Sequence, residues 1–76
     1  MVKAMNRIKI RIDTMSDVSK LVAVATKAKG RVILTDNTDF KVSGKSLLGA
    51  IYTMEWSEVY LESDEDLYNA LSDLVV

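Results

Sequence analysis

The hydrophobic period of this chain changes at Asp13. From Arg7 to Asp13 the order Arg-Ile-Lys-Ile-Arg-Ile-Asp alternates without a break, so Ile8, Ile10 and Ile12 share one side of a strand and Arg7, Lys9 and Arg11 the other. Directly afterwards Val18, Leu21, Val22 and Ala25 recur at i, i+3, i+4 and i+7, the apolar stripe of a helix. A strand with one apolar face followed by a helix with one apolar stripe requires a layered α+β arrangement.

The remaining segments extend that pattern. Thr14 or Ser16 supplies the cap of the first helix, Gly30 is placed to end it, and Lys27 and Lys29 suit the negative end of its dipole. Arg31 to Asp36 and Phe40 to Ser43 read as a hairpin, and a loop of Asn37, Thr38 and Asp39 sets Leu34 opposite Val42. Ser46 opens a short helix whose apolar positions are Leu47, Leu48 and Ile51, expected to lean on the core despite Gly49. Ser57 to Ser63 alternates again, with Val59 and Leu61 inward and Glu58, Tyr60 and Glu62 outward. Ser63 followed by Asp64, Glu65 and Asp66 predicts a last helix with Leu67, Ala70, Leu71 and Leu74 on its buried side. The order is βαββαβα: a four-stranded antiparallel sheet with three helices on one face and solvent on the other.

With 76 residues, 49% apolar and 28% charged, the chain reads as a single ordered domain over 1–76. It contains no cysteine, which excludes disulfides, thiolate metal sites and thiol nucleophiles. The longest apolar run, Leu21 to Ala25, is far too short to cross a bilayer, and the first residues lack a secretory leader's pattern. A cytoplasmic protein without membrane insertion is expected. Net charge is −1 but unevenly placed: residues 1–45 carry all 10 Lys and Arg with four Asp, and residues 46–76 carry seven acids and no base. Either a basic binding face or charge-complementary parts of one domain produces such a split.

Gly44-Lys45-Ser46-Leu47-Leu48-Gly49-Ala50-Ile51, and Val59-Tyr60-Leu61-Glu62-Ser63 followed by acids and Leu67-Tyr68-Asn69-Ala70-Leu71, carry a family likeness. The first resembles the regulatory serine segment of HPr, the histidine-containing phosphocarrier of bacterial sugar phosphotransfer; the second resembles that family's last strand and helix. The likeness runs from Ile8 to the last helix. It implies the HPr-like open-faced β-sandwich, with the first and fourth strands adjacent, and it marks Ser46 as a regulatory phosphosite candidate.

The family's active segment is missing. Its histidine falls on Asp17, its arginine on Ser19, its proline on Lys20 and its preceding glycine on Met15, and the chain has no histidine anywhere. Phosphohistidine transfer needs an imidazole to accept the phosphoryl group and a cation to balance it. The expectation is therefore a divergent HPr-like member without catalysis, cofactor or metal. It would act as a binding or regulatory module whose partners are proteins, among them phosphotransferase-system or catabolite-control components. Met15, Leu47, Leu48, Ile51 and Trp56, with Tyr52 and Met54 nearby, form the expected docking surface; alternatively, Trp56 and Met54 complete the core.

Two other functions fit less well. A phosphoacceptor or phosphocarrier acting through Ser46 or Asp17 has to be set against simpler roles: Ser46 as a helix cap, Asp17 as a carboxylate on a helix dipole. A nucleic-acid-binding module normally stacks bases on sheet aromatics. Here the outward positions are Arg7, Lys9, Arg11, Asp39, Lys41 and Ser43, with Tyr60 the one outward aromatic. If the first and fourth strands are neighbours, Arg7, Lys9 and Arg11 meet Glu58 and Glu62, and the charge split is structural.

Overall fold

Strand β1 (Asn6–Ile10) lies antiparallel to β4 (Val59–Ser63), with Arg7 opposite Glu62 and Lys9 opposite Tyr60. β4 pairs on its other side with β2 (Val32–Thr35), and β2 with β3 (Lys41–Ser43). The sheet order is β1-β4-β2-β3 and every pair is antiparallel. This is a computed structural model, and it describes residues 5–38 and 40–76. Asp39, expected in the hairpin loop, lies outside the described residues; the register expected of that hairpin, Leu34 opposite Val42, is the one observed. Asn37 in the loop takes φ 73°, a left-handed conformation that asparagine tolerates better than most residues.

Helices α1 (Met15–Lys27) and α2 (Leu47–Tyr52) stand on one face of the sheet, giving an α+β fold with two helices. Ile10, Ile12, Val32, Leu34, Val59 and Leu61 from the strands and their extensions meet Val18, Leu21 and Ala25 of α1 in one core. No helix is long and apolar enough to cross a membrane among the described residues. On the opposite face the expected charge pairs form. Arg7 lies 3.6 Å from Glu62 and Lys9 3.7 Å from Glu58, while Arg11 turns to Asp13 at 3.8 Å. Arg7 also covers the Tyr60 ring at 4.4 Å, so the one outward aromatic is occupied by a cation.

Three expectations are corrected. Gly30 does not end α1. The helix stops at Lys27, Ala28 is already extended, and Gly30 with φ 83° turns the chain into β2. A Cβ on Gly30 would stand 2.6 Å from Asp64 Oδ2, so glycine is required there for backbone conformation and for space alike.

The expected inward side of α2 is rotated. Ala50 and the following Thr53 are buried, Ile51 is half-buried, and Leu47 and Leu48 face solvent. The seated row is Ser46, Gly49, Ala50 and Thr53, spaced i, i+3, i+4 and i+7, and its residues share small size rather than hydrophobicity. A Cβ at Gly49 would lie 3.1 Å from the Ser43 carbonyl, so the helix rests backbone-close on β3. Large side chains cannot occupy that seat.

The third helix does not form as a helix. Residues 68–74 run as successive turns, held by one helical bond from Leu71 N–H to the Leu67 carbonyl (3.0 Å) and by shorter-range bonds such as Leu74 N–H to the Leu71 carbonyl (2.8 Å). The groups that would start a helix are engaged elsewhere. Ser63 donates its hydroxyl to the Glu65 carbonyl, Asp64 holds Arg31, and Glu65 accepts from the Lys29 N–H at 3.2 Å. Leu67, Leu71 and Leu74 are nonetheless buried as expected, whereas Ala70 is exposed.

Candidate protein-binding surface

The polar groups at the start of α1, where the resemblance would put the family's active segment, are committed to structure. Thr14 Oγ1 accepts from the Asp17 N–H (3.1 Å), and Asp17 Oδ2 accepts from the N–H groups of Asp13 (3.0 Å) and Thr14 (3.2 Å). This reciprocal capping box satisfies helix-end donors that would otherwise lack partners. The bond from the Asp13 N–H, chiefly, holds the Asp17 carboxyl below its ordinary range, with Thr14 and the charge of Lys20 acting in the same direction. Ser19 is exposed on the following turn, and Lys20 pairs with Asp73. No group of three or more acidic, histidine or cysteine side chains is arranged to hold a metal among the described residues.

Ser46 is half-buried, and its hydroxyl accepts from the Gly49 N–H at 3.2 Å, the expected N-cap. Beside it Lys45 points away and donates to the Ala28 carbonyl at 3.3 Å. Lys45 is thus directed to the end of α1 rather than to the cap.

The exposed side of α2 is apolar. Leu48 is 80% exposed, Leu47 51% and Tyr52 56%, and Leu48, Ile51 and Tyr52 line one shallow groove with Gly49 and Glu55. Leu48, Ile51, Tyr52 and Glu55 follow one another every three or four residues, which places them along one face of α2 and the 3₁₀ turn (Thr53–Glu55) that prolongs it. The Trp56 ring lies 6.4 Å from Tyr52 at a tilt of 55°, so the aromatic pair extends that face. Trp56 and Met54 are both half-buried against the core, and they also line a separate cleft of about 180 Å³ beside Ile12 and Val59.

A scan against known protein families, a search of curated proteins and a search of solved structures each return no match.

Of the five expected docking residues, the groove brings together Leu48 and Ile51, with Trp56 joined through Tyr52. Leu47, and Met15 at 51% exposure, are surface residues outside its lining. Glu55 was not singled out from the sequence. The spacing that carries it, four residues after Ile51 and seven after Leu48, is visible there once the small-residue row is taken as the seat. The chemistry of this surface is that of apolar contact with one carboxylate at its margin.

Proposed function

We propose that this chain is an HPr-like, non-catalytic protein-binding module of the cytoplasm, without histidine phosphocarrier activity. One observation carries the reading. A helix opened by a serine cap turns its large apolar side chains, Leu48 above all, toward solvent while small residues make the contact with the sheet. Exposed Leu47, Leu48 and Tyr52 beside a half-buried Ile51 on so small a domain mark a docking site more readily than a stability device. The antiparallel sheet with β1 beside β4 and the absence of histidine support the family assignment and the loss of the carrier role respectively. Partners among sugar phosphotransfer or catabolite-control proteins follow from the resemblance around Ser46.

Titration calorimetry against the host's own enzyme I and its catabolite-control regulator tests this. Binding of either protein by the wild type, lost in a folded Leu48→Asp variant, supports the reading. Binding of neither, or binding indifferent to Leu48→Asp, overturns it.

A further inference from the structure

The chain treats the two edges of its sheet differently. On β1 the outward backbone is paired by the C-terminal segment: Arg11 N–H donates to the Leu74 carbonyl (2.8 Å), Val76 N–H donates to the Lys9 carbonyl (3.1 Å), and Ile10 bridges Val75. On β3 no strand among the described residues lies beyond.

The direction of the β3 amides follows from the register. Gly44 N–H donates to the Val32 carbonyl at 2.8 Å, so by the alternation of an antiparallel ladder Val42 bonds toward Leu34 and the amides of Lys41 and Ser43 point outward. The Ser43 carbonyl is taken by the Ser46 N–H at 3.2 Å. Among the described residues, what remains facing out is the N–H of Ser43 and both backbone groups of Lys41.

The side chains add a charge preference. On the open face of the sheet, β1 sets Arg7 and Lys9 against the acids of β4, which is how this fold already matches a basic strand to an acidic one. Lys41 faces the same side with no ion-pair partner among the described residues, and it shares a shallow cleft with Arg31 and Lys45. On the other side Val42 is half-buried, and Phe40, just before the strand, is 64% exposed.

We propose that β3 accepts an extended peptide segment of an acidic partner as a fifth strand, acidic side chains lying beside Lys41 on the open face and apolar ones beside Val42 and Phe40. The added strand takes its affinity from main-chain hydrogen bonds and its specificity from alternate side chains. A second copy of β3 is the wrong occupant, because two-fold pairing of this short edge sets Lys41 near its own copy, and like charges across strands are unfavourable.

The test uses the full chain, ¹⁵N-labelled, with a short blocked peptide alternating glutamate and valine and its counterpart alternating lysine and valine. Slowed hydrogen exchange and shifted resonances at the Lys41 and Ser43 amides with the glutamate peptide alone, and a reversed preference in Lys41→Glu, are the expected result. Equal response to both peptides, no response at these two amides, or a response confined to α2 overturns the proposal.

Discussion

Asp64 grips Arg31 at three points: its Oδ2 accepts from the Arg31 main-chain N–H (2.7 Å) and from Nε (3.2 Å), and its Oδ1 from Nη2 (3.1 Å). The contact fastens the end of β4 to the start of β2, and the carboxylate raises the basicity of the guanidinium through these hydrogen bonds and its charge. It also fills the space that a Cβ on Gly30 would need.

Gly30→Ala is therefore expected to destabilise the fold by about 1–3 kcal/mol, the usual cost of holding a non-glycine residue in such a conformation, with a clash added. In an Asp64→Ala background the Oδ2 and Cγ contacts disappear while the residue-64 Cβ, 2.9 Å away, remains, so the same substitution should cost less but still carry a penalty. Urea unfolding of the four proteins in a double-mutant cycle reads the difference, and equal penalties in both backgrounds would show that Asp64 does not crowd residue 30.

The α1 capping box predicts an acid-sensitive helix. Because the folded-state pKa of Asp17 is depressed, its contribution is complete above the ordinary carboxylate value and is lost as pH falls through the lower, folded value. Asp17→Asn should flatten this acid limb of the stability curve. Thr14→Ala, which removes the other half of the box, should cost about 1 kcal/mol at neutral pH. Circular dichroism during denaturant unfolding between neutral and strongly acidic pH checks both.

Much of this architecture is legible in the residues. Alternation fixed the faces of β1 and β4, and loop length fixed Leu34 opposite Val42, because period and turn geometry act locally. The failures share a different cause. Helix α2 is seated by what fits under it, and Gly49, Ala50 and Thr53 fit where Leu47 and Leu48 do not; hydrophobicity alone points to the wrong side. The acids after Ser63 have strong helix-start character, but Lys29 and Arg31, distant in sequence, claim Glu65 and Asp64 first. Tertiary competition of this kind leaves no periodic trace. The exposed groove on α2 is half legible for the same reason: Leu48, Ile51 and Tyr52 stand out as apolar, whereas Glu55 and their common direction do not.

Opposite outcomes are expected on the two sides of α2. Leu48→Ser should leave stability within about 0.5 kcal/mol, since the side chain is mostly in water already. Ala50→Leu inserts volume into a closed seat and should cost about 1–3 kcal/mol. Thermal unfolding of both variants separates the seat from the exposed apolar face.

The segment after β4 should be firmly packed yet locally soft. Leu71 is fully buried, so Leu71→Ala is expected to cost about 2–5 kcal/mol. Its backbone has no continuous helical ladder, and amides over 68–73 should exchange faster than those in the middle of α1. Native-state hydrogen exchange combined with chemical denaturation measures both on one sample.

The most direct test of an HPr-like scaffold without carrier chemistry is the intact mass of the protein after incubation with its host's enzyme I and phosphoenolpyruvate, with the host's own HPr in the same tube as the positive control. The protein should keep its unmodified mass while HPr gains a phosphoryl group. A phosphoryl group on this chain, located by fragmentation to Asp17, Ser46 or any other residue, would contradict the proposed loss of the phosphocarrier role.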